Sequence, residues 1–123
     1  MIKNVPIKFS QLDLLTIINK NFKDKFNYFY LPKDLRTQKG MGFAFINLTH
    51  WAYIIDFYLE FNCIKWSEYI QCNSQKYCEI SYSNVQGIEE IKLELEDKYA
   101  MKKTDENVRP LFYEIESDPN EVE

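Results

Sequence analysis

The sequence predicts an α+β fold in which a four-stranded antiparallel sheet carries two helices on one face. Three observations predict it. Strand-like and helix-like segments follow one another along 123 residues, only three Gly and four Pro interrupt them, and 46% of the residues are hydrophobic. A chain of this length and composition forms one globular domain with a core of its own. No apolar run approaches the ~20 residues that a membrane span needs.

The first third of the chain is predicted as strand, helix, strand. Residues 1–5 are a short strand ended by Pro6. Ser10 begins a helix, because Ser10-x-x-Asp13 resembles a capping box and apolar residues follow at helical spacing from Leu12 to Phe22. Residues 26–31 are an aromatic-rich strand closed by a proline. Its alternation places three rings on one face, which is either the core or the open face: Phe26, Tyr28 and Tyr30.

A polar, basic loop over residues 33–41 leads to the most informative strand, residues 42–48. Strand side chains alternate between faces, so Ala44, Ile46 and Leu48 are predicted to enter the core. Phe43 and Phe45 then lie side by side on the opposite face. Exposed aromatic pairs of this kind typically stack on unpaired nucleotide bases, although burial under the chain's own C-terminal helix is an alternative.

The rest of the chain is predicted as helix, strand and a further helix. Thr49 caps the second helix, with apolar residues at helical spacing from Trp51 to Phe61. Trp51 and Trp66 are expected in the core or at its boundary. Residues 77–82 are a strand, and if Ile80 and Tyr82 face the core, Ser81 and Ser83 face outward. A charged third helix carries an apolar stripe from Ile88 to Tyr99, and residues 107–123 are extended and then disordered.

This order of elements is the ferredoxin-like βαββαβ sandwich, with the first and third strands at the centre of the sheet. It is extended here by a C-terminal helix. We therefore divide the chain into a core, residues 1–86, and a helical extension with an acidic tail, residues 87–123.

Several segments in this order resemble the RNA recognition motif, most closely the C-terminal motif of Mei-two-like RNA-binding proteins. Residues 41–48 fit the family's octamer, and residues 1–5 fit its hexamer with Met1 in the second position. The other matching segments are Tyr-Phe-Tyr-Leu-Pro-x-Asp at 28–34, Phe-Tyr-x-x-Phe-Asn-x-x-Lys-Trp at 57–66, Ser-Tyr-Ser-Asn-Val-Gln-Gly at 81–87 and Arg-Pro at 109–110.

The resemblance implies binding of single-stranded RNA without catalysis. Phe43 and Phe45 take the family's two stacking positions, and Lys3 and Lys39 are expected to steer the RNA backbone. Departures from the general pattern include Met41 for a basic residue, Met1 for an aromatic one, and Asn84 where an arginine is usual. The expected RNA-binding residues are Met1, Lys3, Tyr28, Tyr30, Lys39, Phe43, Phe45, Asn47, Ser81 and Ser83.

Charge is distributed unevenly along the chain. Residues 1–48 hold eight basic and three acidic residues, whereas residues 49–123 hold seven basic and sixteen acidic ones. The predicted stacking surface thus lies in the basic part. The acidic third helix has three possible roles: it completes the fold, docks on the sheet where it repels RNA phosphates, or presents a face to a protein partner. The alternative function is therefore a protein-interaction or scaffold module with little RNA affinity.

Other functional classes have little support. His50 is the only histidine, and no phosphate-binding glycine loop is present, so neither an enzyme, a cofactor nor a metal site is expected. Cys63, Cys72 and Cys78 are odd in number and form no Cys-x-x-Cys pair, which is typical of reduced thiols. No signal peptide is visible, so we expect an intracellular location, in the nucleus or the cytoplasm.

Overall fold

The computed structural model describes residues 1–34, 36–70, 72, 74–83, 86–95 and 109–113. The strands are β1 (Ile2–Lys3), β2 (Phe26–Tyr30), β3 (Phe43–Leu48), β4 (Glu79–Ile80) and β5 (Leu111–Phe112), and the helices are α1 (Gln11–Phe22), α2 (Trp51–Phe61) and α3 (Ile88–Leu95). The strands form one antiparallel sheet in the order β4-β1-β3-β2-β5.

The α+β fold is confirmed, with β1 and β3 central, but the prediction of four strands is wrong. A fifth strand, β5, pairs with the outer edge of β2. Gln11 holds this edge in place although it is fully buried. Its side chain accepts a hydrogen bond from the Leu31 N–H (2.9 Å) and donates one to the Arg109 carbonyl (2.9 Å). A strand of two residues carries too little alternation to be recognised from sequence.

The core lies between the sheet and the helices α1 and α2. Ile2, Phe29 and Ala44 enter it from three adjacent strands, and Ile46 and Leu48 pack against it as alternation predicts. Its helical members are Leu14, Leu15, Ile17, Ile18 and Phe22 of α1 and Phe57 and Phe61 of α2.

The two tryptophans differ in burial. Trp66 is 1% exposed and lies edge-on to the Phe9 ring, with 5.6 Å between ring centroids, so its placement in the core is confirmed. Trp51 is 68% exposed, and the prediction that it packs in or beside the core is wrong. Leu12, predicted on the apolar stripe of α1, is also exposed. Because α2 is apolar around most of its circumference, spacing alone does not identify its buried face.

Local hydrogen bonds set the starts of the two long helices. Ser10 caps α1 as predicted: its Oγ accepts from the Asp13 N–H (3.0 Å), and Asp13 Oδ2 accepts from the Ser10 N–H (2.9 Å). The prediction for α2 is wrong by one residue. His50 is the cap, because its Nδ1 accepts from the Ala52 N–H (3.1 Å), whereas the Thr49 hydroxyl donates to the Lys25 carbonyl.

A β-bulge in β2 decides which aromatic residues face the core. Phe26 pairs with Leu48 and Tyr28 pairs with Asn47, so the register shifts at Asn27. The extra residue changes the alternation. Phe26 therefore enters the core, and the prediction that it shares a face with Tyr28 and Tyr30 is wrong.

The C-terminal part departs further from the prediction. The strand expected over residues 77–82 is reduced to β4, and Tyr82 is 78% exposed rather than turned to the core. The third helix is present as α3, but its predicted continuation to Tyr99, Asn84 and the tail at 114–123 fall outside the described residues. Within the described part, no helix has the length and apolar character needed to cross a membrane, and no group of three metal-ligating side chains is found.

Candidate nucleic-acid interface

The sheet face opposite the core carries most of the residues predicted to bind RNA. Strand pairing fixes their neighbours, since side chains of paired residues lie on the same face. Lys3 of β1 pairs with Phe43 of β3, and Phe45 pairs with Tyr30 of β2. Further along, Tyr28 is the β2 residue that pairs with both Asn47 and Phe112. We call this surface the open face.

Phe43 and Phe45 form the centre of the open face, and we call this pair the aromatic platform. Their ring centroids are 5.6 Å apart and the ring planes meet at 71°, an edge-to-face arrangement. Both side chains are half-buried, so each keeps surface that a ligand can cover. A flat heterocycle can stack on one ring while the other ring borders its edge.

On the β1 side, the open face carries the cation of Lys3 and the flexible apolar side chain of Met1. Ile2 is buried in the core, so its neighbours Met1 and Lys3 lie on the open face. Glu79 of β4 pairs with Lys3 of β1, so a residue with a carboxylate lies beside the lysine. Ser81 extends this pairing, since its N–H donates to the Met1 carbonyl (3.0 Å), and the same alternation places it on the open face.

The β2 edge of the open face is covered. Tyr28 is only 4% exposed because Ile91 of α3 packs in one cluster with it, and Tyr30, Phe45 and Phe112 surround the pair. Burial raises the pKa of Tyr28 above its ordinary value, with a smaller contribution from Tyr30, and it also raises the pKa of Tyr30. Both tyrosines therefore keep their phenolic protons through the physiological pH range.

Asn47 is oriented by a second asparagine. Its Nδ2 donates to Oδ1 of Asn27, the bulge residue, over 2.8 Å. The bulge that redirects β2 thus also supplies the acceptor that fixes the Asn47 amide. An amide held in this way can present a defined hydrogen-bonding pattern to a ligand.

Lys39 lies in the loop between β2 and β3 and is exposed. The loop is braced on both sides of it: the Asp34 N–H donates to the Lys39 carbonyl (2.8 Å), and the Gly40 N–H donates to the Ile7 carbonyl (3.0 Å). Gly42, with a φ of +90°, follows and turns the chain into the platform strand. Lys39 is thereby positioned at the end of β3 that carries Phe43.

One predicted residue lies apart, and three others were missed. Ser83 lies beyond the end of β4, where its carbonyl accepts from Gln86 Nε2 (2.9 Å). Phe112, Glu79 and Asn27 were not predicted as site residues from the sequence. Phe112 gave a weak signal as the centre of the apolar triplet 111–113, but the other two gave none, because only strand register and the bulge place them on this face.

The open face therefore combines stacking rings, an oriented amide and nearby cations. The described residues show no pairing of a nucleophile with a histidine on this face, since His50 caps α2. The face offers aromatic surface for planar groups, hydrogen bonds for their edges, and positive charge for an anionic chain.

Comparison of the sequence with known proteins identifies a family of RNA recognition motifs. The family profile described as RNA recognition motif 2 matches residues 1–96. The chain is 34% identical over 113 residues to protein MEI2-like 4 of Oryza sativa subsp. japonica, covering 92% of this chain and 11% of that protein. It is 32% identical over all 123 residues to protein MEI2-like 5 of Arabidopsis thaliana, covering 15% of that protein.

A third relative, protein MEI2-like 3 of Oryza sativa subsp. japonica, is 39% identical over 87 residues, which are 71% of this chain and 9% of that protein. The chain thus spans about a tenth to a seventh of the length of these curated relatives. The family match begins with β1 and ends just after α3, so β5 lies outside it. Because the family profile matches residues 1–96 and Mei2-like proteins match at 32–39% identity, the chain belongs to the RNA recognition motif 2 family found in Mei2-like proteins.

Proposed function

We propose that this chain is a single-stranded RNA-binding domain without catalytic activity, which holds unpaired bases on the open face. The observation that carries the proposal is the aromatic platform. Phe43 and Phe45 lie in contact on the central strand and are only half-buried, and Lys3 pairs with Phe43. Family membership supports RNA as the ligand.

The shape of the surface favours single-stranded over double-stranded RNA as the ligand. A stacking ring needs access to the face of a base, and in a duplex those faces are covered by neighbouring base pairs. Stacking contributes about 1–3 kcal/mol per base. Two bases on the platform give roughly 2–6 kcal/mol, which corresponds to weak binding unless contacts to the RNA backbone add to it.

Each predicted site residue has a proposed role. Phe43, Phe45 and Tyr30 contact bases, Met1 packs beside them with its thioether, and Asn47 and Ser81 hydrogen-bond to base edges. Lys3 and Lys39 contact phosphates. Tyr28 is buried, so its contact with RNA requires a rearrangement of the residues that cover it. Ser83 lies outside β4, so its contact lies at the margin of the binding surface.

The alternative function is a protein-interaction or scaffold module with little RNA affinity, which binds a protein partner through the C-terminal helix. Ile91 is 7% exposed and packs on the sheet, so α3 offers a partner less apolar surface than a free helix does. The contact favours a role for α3 on the open face itself.

The test is the double variant Phe43→Ala/Phe45→Ala titrated with a fluorescent pool of random-sequence single-stranded RNA, ten nucleotides long. We expect a loss of at least about 30-fold in affinity, since two stacking contacts disappear. Trp51→Ala is the matched control, because Trp51 is an exposed aromatic residue on α2, away from the open face.

Far-UV circular dichroism checks that each variant keeps its fold. The proposal is rejected if the double variant is folded and binds RNA as tightly as the wild type, or if the wild type shows no RNA binding at low salt.

A further inference from the structure

Helix α2 exposes a row of large apolar side chains that the fold leaves uncovered. Trp51 is 68% exposed, Ile55 50%, Tyr58 48% and Leu59 72%. Successive residues of a helix are about 100° apart, so these positions fall within roughly 100° of the circumference of α2. We call this surface the α2 stripe. The buried side chains of α2 lie on another side of the helix and enter the core.

The size of the α2 stripe is that of a contact surface. Scattered exposed apolar residues need no explanation, but contiguous ones mark sites of interaction. With the exposed fractions above, the stripe presents on the order of 500 Å², within the range of functional patches on single chains. Two such stripes in contact bury about 1,000 Å², the area at which specific interfaces between proteins begin.

The α2 stripe carries no carboxylate or basic group. Asp56 lies at its flank, and Glu60 is turned to α1, where its Oε1 accepts a hydrogen bond from Asn21 Nδ2. A surface of this kind offers no ion pair to a charged partner, whereas aromatic and aliphatic groups form the centre of interfaces between identical chains. A second copy of the same stripe therefore matches it in chemistry as well as in area.

Antiparallel pairing of two α2 helices uses the whole stripe. Trp51 and Leu59 each lie four residues from Ile55. When Ile55 of one copy meets Ile55 of the other, Trp51 of each copy meets Leu59 of the other, as twofold symmetry requires. The first turn of α2 has no acidic residue and its last turn has no basic one. Antiparallel pairing places these oppositely polarised helix ends side by side, where they attract each other.

We propose that the α2 stripe is the contact surface for a second copy of this chain, which pairs α2 with α2 in antiparallel orientation about Ile55. The inference goes beyond the proposed function, and the contact does not depend on RNA. Because the core separates α2 from the sheet, both open faces stay accessible in the pair. One long RNA strand can then engage two faces, the second at a raised effective concentration.

Sedimentation equilibrium of the full 123-residue chain, without RNA and from about 5 to 200 µM, tests the contact. We expect the wild type to change from the 14.8 kDa of one chain to twice that mass over this range. Ile55→Glu brings two carboxylates together at the centre of the contact and should remain a single chain throughout. Leu12→Glu is the matched control, because Leu12 is 60% exposed on α1 and lines a cleft beside β5, and it should associate like the wild type.

A pair of oppositely charged variants tests the antiparallel orientation. Leu59→Glu and Trp51→Lys should each associate at least about tenfold more weakly than the wild type, because a charge is pressed against an apolar side chain. An equimolar mixture of the two should associate about tenfold more tightly than either alone, because the new carboxylate meets the new ammonium group. In a parallel pair these two positions do not meet, and mixing gains nothing.

Contrary results overturn the proposal in distinct ways. A wild type that stays a single chain at the highest concentration shows that a second copy does not occupy the stripe. Association of folded Ile55→Glu at wild-type strength places the contact elsewhere, and a mixture that gains nothing excludes the antiparallel orientation. Far-UV circular dichroism verifies folding, and Leu59→Glu replaces Ile55→Glu if the latter is unfolded. RNA binding is measured separately with Phe43→Ala/Phe45→Ala, so either proposal can fail alone.

Discussion

Cys78 is a buried titratable residue next to the strand that borders the open face. It is 1% exposed, its N–H donates to the Ile64 carbonyl (2.7 Å), and its carbonyl accepts from the Cys63 N–H (2.7 Å). Burial, with smaller contributions from Cys63 and Glu79, raises the pKa of the Cys78 thiol from 9.0 to about 12. The folded protein therefore holds the proton on this thiol at pH values where the unfolded chain releases it.

This difference predicts a loss of stability at alkaline pH. The folded pKa is raised, so the contribution of Cys78 is complete below pH 9 and is lost as the pH rises towards 12. Urea unfolding of wild type and Cys78→Ala, measured at intervals from pH 8 upward, checks it. We expect the wild type to lose free energy of unfolding more steeply, by up to about 1.4 kcal/mol per pH unit. Parallel curves for the two proteins would contradict the prediction.

At the scale of elements, one buried amide joins α1, β2 and β5. Gln11 is fully buried and bridges the Leu31 N–H and the Arg109 carbonyl. Without it, the Leu31 N–H just after β2 is an unsatisfied donor, and the segment that leads into β5 loses its hydrogen bond to α1. The placement of Phe112 on the open face thus depends on a residue on the opposite side of the sheet.

The variant Gln11→Leu tests this anchor. We expect the free energy of unfolding to fall by about 1–3 kcal/mol, the cost of leaving a buried hydrogen-bonding group without a partner. Hydrogen exchange at Leu111 and Phe112 should accelerate by more than the global loss of stability explains. Asn19→Leu, an exposed position on the same helix, is the control and should change stability by less than about 0.5 kcal/mol. Equal effects of the two substitutions would show that Gln11 is not an anchor.

For the whole molecule, the sequence was sufficient where one periodicity governs a long segment. Alternation along β3 identified the side chains that enter the core and the platform that does not, and the capping box identified the start of α1. The sequence was insufficient where one residue changes the strand register. Asn27 forms a bulge, and Phe26 therefore faces the core. The two-residue strand at 111–112 pairs with β2 next to the hydrogen bond from Gln11 to the Arg109 carbonyl. Neither effect leaves a periodic signal in the sequence.

The distribution of charge over the whole molecule sets how RNA binding should respond to salt. Four basic residues lie in β1 and in the loop between β2 and β3, whereas the C-terminal part of the chain is acidic. They are Lys3, Lys33, Arg36 and Lys39. Each phosphate neutralised on a single strand contributes about −0.7 to the slope of log affinity against log salt concentration. With three or four such contacts we expect a slope of roughly −2 to −3 for the ten-nucleotide pool.

Lys39→Gln tests whether the loop cation takes part. It should make the slope shallower by about 0.7, because one fewer counterion is released on binding. Lys20→Gln, an exposed cation at the end of α1, should leave the slope unchanged because it lies among the helices on the other side of the sheet. Anisotropy titrations at four salt concentrations give both slopes. If the two substitutions shift the slope equally, RNA responds to net charge rather than to the loop, and Lys39 is not a phosphate contact.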